Sequence, residues 1–129
     1  MEEKLKQIKV LDELKNEKLL EIERLEVLAT KVNASSEGER VQSSGGSDKV
    51  ADNVIKIVDL KNEINDDIHA LIDLKKECES WIKTIDDNII KCILYKRYFS
   101  YKTWEQIADE LHYSSRWIQK IHRKFMSSL

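Results

Sequence analysis

Apolar residues recur at three- and four-residue steps over most of the chain, a spacing that predicts helices. The first run covers residues 1–32, where Ile8, Leu11, Leu14, Ile22, Leu25, Ala29 and Val32 share a face. Lys15 and Lys18 interrupt that face; their stems can cover apolar surface while their amines reach water. The opposite face is largely Glu and Lys. Pairs such as Glu2 with Lys6 add only about 0.2–0.5 kcal/mol each, so this helix needs a partner. Residues 33–47, NASSEGERVQSSGGS, hold one isolated valine among Ser, Gly, Asn and Glu. They are expected to form a mobile linker, because so little apolar surface cannot offset the entropy of ordering.

Asp48 is expected to cap a second long helix over residues 48–85. Its face carries Val50, Val54, Ile57, Leu60, Ile64, Ile68, Leu71, Leu74, Cys78 and Ile82. Ile57, Leu60, Ile64, Leu71, Leu74 and Cys78 fit the seven-residue repeat of a coiled-coil seam. Two such stripes can fold back as an antiparallel hairpin, or each can pair with the same helix of a second chain. The pattern leaves both open. A homodimer through the coiled coil is expected.

Residues 86–129 form a distinct third region. Asp86-Asp87-Asn88 ends the second helix and can cap a third, about Asn88 to Phe99, with Ile89, Ile90, Ile93, Leu94 and Tyr98 inward. Ser100-Tyr101-Lys102 is the connecting turn. Thr103 can cap a helix with Trp104, Ile107, Ala108 and Leu111 on one face. The chain turns at His112-Tyr113, and Ser114 can cap a last helix over 114–127 with Ile118, Ile121 and Phe125 inward. The expected fold class is therefore all-α: long coiled-coil helices, a linker and a C-terminal three-helix head containing a helix-turn-helix.

Charge sharpens the picture. The net charge is −2, but Asn88 to the C-terminus holds eight basic and three acidic residues, a local +5 that leaves −7 for the rest. A basic head on an acidic body points to a polyanionic partner, double-stranded DNA. The candidate DNA-binding side chains are Ser115, Arg116, Trp117, Gln119, Lys120, Arg123 and Lys124 on the last helix, with Lys102 and Thr103 before the motif. Ser115, Arg116, Gln119 and Lys120 lie early on the helix and suit base edges: Gln fits adenine, Arg and Lys fit guanine. Arg123 and Lys124 suit phosphates, as do Lys96, Arg97 and Lys102, unless those three serve only solubility. Trp117 can stack on a sugar, meet a thymine methyl or pack back on the preceding helix. Tyr113 is expected to pack in the core or at the turn.

The region Arg97-Tyr98, TWEQIADEL, the turn and YSSRWIQKIHRKF resembles the sigma-factor region 4 type of helix-turn-helix. The wider pattern, SDKVADNVIKIVDLKNEINDDI upstream of KTWEQIADELHYS and IHRKF, resembles small regulators encoded by phages and prophages of Gram-positive bacteria. This resemblance covers about residues 43–129. It implies a transcriptional regulator, with DNA contact carried over to Ser115, Arg116, Trp117, Gln119 and Lys120 and RNA polymerase as a further partner. One position departs from the pattern: His112 stands where such turns usually carry Gly. The turn needs positive φ, which costs a non-Gly residue about 1 kcal/mol.

Other chemistries find little support. Cys78 and Cys92 fall near apolar stripes, form no CxxC pair and are expected to be buried, reduced thiols. The three histidines complete no zinc spacing, and the run Asp66, Asp67, His69 and Asp73 reads as a solvated acidic face rather than a metal site. No phosphate loop, paired catalytic carboxylates or base-activated nucleophile is evident, so no enzyme and no cofactor are expected. No apolar run approaches the ~18 residues of a membrane span, and MEEKLKQIK lacks the apolar core of a signal peptide; a cytoplasmic protein is expected. Two further functions fit the same pattern: a module that binds RNA polymerase or another protein without binding DNA alone, and the small subunit of a phage DNA-packaging machine.

Overall fold

The structure, a computed structural model, describes the backbone of residues 1–38 and 44–129 and the side chains of 1–30 and 49–129. It is all-α, with no strand among the described residues. The helices are α1 (Glu2–Gly38), α2 (Ser44–Lys83), α3 (Asn88–Leu94), α4 (Trp104–Leu111) and α5 (Ser115–Ser127), with a π-helical turn over Tyr95–Phe99. The long helices reach further into the expected linker than composition suggested. α1 continues through residues 33–38, and α2 begins at Ser44, so Asp48 lies a turn inside it rather than capping it. The rest of the expected linker, residues 39–43, lies outside the described residues. The chain divides into two compact units, Met1–Leu11 with Leu71–Leu129, and Asp12–Ala70.

In the first unit, Leu5 and Ile8 of α1 are fully buried with Leu71, Cys78, Ile82, Ile90, Leu94 and Tyr98. Ile121, Phe125 and Met126 of α5 pack on the same cluster, as does Trp81, whose ring lies 6.0 Å from that of Phe125. Burial pushes the Cys78 thiol pKa above its ordinary value, whereas Cys92 on α3, expected to be buried as well, is exposed. Asp87 caps α3, its carboxylate accepting the backbone N–H groups of Ile89 and Ile90. A second, smaller cluster of Ile93, Ile107, Ala108 and Ile118 joins α3 to α4 and α5. The expected uninterrupted helix from Asn88 to Phe99 instead loosens into the π turn, where the Ser100 N–H donates to the Tyr95 carbonyl at 3.0 Å.

The second unit pairs α1 and α2. Only five residues connect the two helices, so they run antiparallel, and the seam expected either within or between chains is made within one. Ile22, Leu25 and Ile64 are its buried apolar residues among those described. Lys18 does not interrupt the α1 face but belongs to it: its ammonium donates to the Asp67 carboxylate at 2.7 Å, with both side chains less than one-fifth exposed. Asp67 fills the gap that the apolar repeat left between Ile64 and Leu71. A paired charge at a seam position fixes which residues of two helices meet, at some cost in stability. Leu14, assigned to the inner face, points outward at 44% exposure, and so do Val54 and Ile68. The true α1 stripe passes through Lys15 and Lys18, and a residue one step away from it turns by about 100° into solvent.

Candidate nucleic-acid interface

The local geometry of α4 and α5 follows from their caps. Thr103 Oγ1 accepts the Gln106 N–H at 3.2 Å, and the Gln106 side-chain oxygen accepts the Thr103 N–H at 2.8 Å. This reciprocal capping box satisfies two donors that a helix start otherwise leaves orphaned. α4 ends at His112, with φ 62° and ψ 42°. The Tyr113 N–H then reaches back to the Ala108 carbonyl at 3.0 Å, the long bond of a Schellman turn. Ser114 Oγ accepts the Trp117 N–H at 3.1 Å and opens α5. Ala108 is 5% exposed between the helices, where its small side chain permits close approach. The turn thus adopts the left-handed geometry expected of it, with histidine in the demanding position.

The outward side of α5 brings Ser115, Arg116, Gln119, Lys120 and Arg123 around one shallow groove of about 580 Å³. Gln119 Nε2 donates to Ser115 Oγ at 3.0 Å, which orients the amide. Among the described residues no ion pair holds Arg116, Lys120, Arg123 or Lys124, and α5 carries no acidic residue. Four uncompensated cations on one short helix make a strong local positive field. Trp117 neither enters the core nor returns to α4. It stacks on Tyr113 of the turn, with centroids 4.1 Å apart and planes 26° from parallel, and the pair stays exposed.

The residues ahead of the motif behave differently. The ammonium of Lys102 is bound by Glu110 of α4, and Lys96 reaches the same carboxylate oxygen at 3.1 Å. These two hydrogen bonds hold the Glu110 carboxyl below its usual pKa. Lys102 therefore faces a carboxylate of its own chain, and the Thr103 hydroxyl is engaged in capping. Arg97 Nη1 donates to the Lys102 carbonyl at 3.1 Å, and its guanidinium lies 4.4 Å from the centre of the Trp104 ring. Arg97 thus pins the turn in which Tyr101 also takes a left-handed conformation, φ 57°. Neither Glu110 as the neutralising partner nor Tyr101 as a strained position is evident from the sequence, because both depend on how the turn closes.

Beneath α5, the Tyr98 hydroxyl and His122 Nε2 lie 2.7 Å apart, and the Trp104 ring packs at 4.8 Å from the imidazole. Burial raises the Tyr98 pKa to about 12 and lowers that of His122. Both shifts favour the uncharged forms, and the hydrogen bond between phenol and imidazole ties α5 to the π turn.

These features define the head as a helix-turn-helix with an uncompensated basic face. The chain belongs to the family described as "Protein of unknown function (DUF1492)", whose model matches residues 31–129, about three quarters of the chain. The match includes α2 to α5 and leaves out Leu5 and Ile8, although both are buried in the head. No curated protein and no solved structure matches the chain.

Proposed function

We infer that the protein is a sequence-specific DNA-binding transcriptional regulator, acting in the cytoplasm, whose α5 enters the major groove. The observation that carries this reading is the groove formed by Ser115, Arg116, Gln119, Lys120 and Arg123 on one helix side, free of any carboxylate. Arg116, Gln119 and Lys120 are base readers, and Arg123 and Lys124 are phosphate contacts. Thr103, at the start of α4, meets the backbone through that helix terminus. Lys102 contributes only if it exchanges Glu110 for a phosphate. The exposed Tyr113–Trp117 stack flanks the groove and supplies a flat apolar surface for a sugar or thymine methyl. No catalytic role is assigned to any of these residues.

The sigma-factor-like pattern adds phage or prophage genes as the regulated targets and RNA polymerase as a second partner. The test is fluorescence anisotropy of labelled duplexes at increasing salt. The expected result is sequence-dependent binding that weakens steeply with salt, since each neutralised phosphate releases counterions. An Arg116→Ala, Lys120→Ala variant that is correctly folded yet binds the preferred duplex as tightly as wild type refutes the assignment. Polymerase capture by a protein that binds no duplex supports the interaction-module reading instead.

A further inference from the structure

α2 carries two separate stripes. One faces α1 through Ile57, Leu60, Ile64 and Asp67. The other, turned about a quarter of the helix away, runs through Val54, Val58, Lys61, Asn65 and Ile68 at steps of four, three, four and three residues. This second stripe has the spacing of a coiled-coil seam, yet Val54, Val58 and Ile68 are 50%, 50% and 39% exposed. The acidic residues of this stretch, Asp59, Glu63 and Asp66, lie on other sides of the helix, so the stripe holds a single charge, Lys61. Within the Asp12–Ala70 unit, three large apolar side chains are buried and nine are exposed among the described residues. Nine large apolar side chains left about half exposed on one helix pair offer faces that a further helix can cover, because packing of apolar faces rather than helix propensity sustains helices in water.

We propose that this stripe is a homodimer interface in which α2 packs antiparallel against α2 of a second copy, about a two-fold axis at residue 63. The stripe is its own complement in that arrangement. Val58 meets Ile68 of the partner chain, and Lys61 meets Asn65, twice over. The two apolar layers flank a polar centre in which the Lys61 ammonium donates to the Asn65 side-chain carbonyl. A two-fold interface requires this reciprocity. A parallel pairing instead sets Lys61 against Lys61, and shifting the axis to residue 61 does the same, so like-charge repulsion selects the register. The seam toward α1 is already occupied within the chain, which leaves this face for the second copy. The inference does not depend on DNA binding.

Sedimentation equilibrium of the full chain at micromolar concentration tests it. The expected mass is twice the 15.2 kDa of one chain, falling to a single chain in Val58→Glu, Ile68→Glu while the head keeps its native tryptophan fluorescence. Orientation is read in a Cys92→Ser background, which removes the exposed thiol. Lys61→Cys and Asn65→Cys chains refolded together should form a disulfide-linked dimer on oxidation, and neither chain should do so alone. A monomeric wild type, a dimer indifferent to the two glutamates, or cross-linking of either single-cysteine chain alone overturns the proposal.

Discussion

The least obvious structural dependence is that of the head on the first turns of α1. Leu5 and Ile8 are both 0% exposed, in the cluster that also receives Ile121, Phe125 and Met126 of α5. Truncating either to alanine removes buried methyl and methylene groups and leaves a cavity, a loss of about 2–5 kcal/mol. The two side chains share neighbours, so their effects couple and need not add. The double variant should still lose about 4–8 kcal/mol, against a total stability of typically 5–15 kcal/mol for a domain. Trp81, Trp104 and Trp117, the three tryptophans of the chain, all lie in this unit, so urea unfolding followed by fluorescence reports on it directly. Either single variant should shift the midpoint well below wild type, and Leu5→Ala, Ile8→Ala should be largely unfolded without denaturant. Val10→Ala is the control: Val10 is 52% exposed, and its truncation should stay within about 0.5 kcal/mol. A double variant as stable as wild type refutes the packing of α1 into the head.

Three further outcomes are expected. His112→Gly removes the left-handed penalty at φ 62° and, after the larger backbone entropy of glycine is subtracted, should raise the melting temperature by a few degrees; an unchanged or lower value shows that the histidine side chain contributes something the turn geometry does not account for. His122 has a folded pKa below its unfolded value, so the unfolded chain binds the extra proton and stability should fall as pH drops below about 6.5. Its neighbours Glu2, Lys6, Arg97 and Arg123 tune that shift, and His122→Gln should flatten the pH dependence in this window; identical profiles contradict the assignment. Lys18→Glu should lower helicity by placing two carboxylates together in the seam, and Lys18→Glu with Asp67→Lys should recover it; failure of the exchange to rescue denies the pair its register-setting role.

The caps of α3, α4 and α5 and the turn at His112 were legible in the sequence because they are local. Asp87, Thr103 and Ser114 each stand at the start of an apolar face, and a capping side chain acts over three residues. The heptad seam of α2 was legible for the same reason. What escaped was set by partners far along the chain. Lys18 and Asp67 look like breaks in two apolar stripes until the stripes are laid side by side, when they become one ion pair. Leu5 stands three residues before Ile8 and continues its face, yet nothing local shows that this face meets α2 and α5 rather than solvent. The ends of α1 and α2 also ran past their expected limits, since Ser, Gly and Asn lower helix propensity without forbidding a helix. Of the candidate interface, the α5 residues follow from periodicity. The neutralisation of Lys102 by Glu110 and the Tyr113–Trp117 stack arise from closing two turns, which composition does not encode.

The measurement that bears most directly on the central claim is selection of bound duplexes from fragmented or randomised DNA by the purified chain, with Arg116→Ala, Lys120→Ala selected in parallel. The wild type should enrich a defined duplex motif, and the variant, melting at the wild-type temperature, should lose that enrichment. No enrichment by the wild type, or the same motif recovered by the variant, contradicts the assignment of α5 as the reading helix.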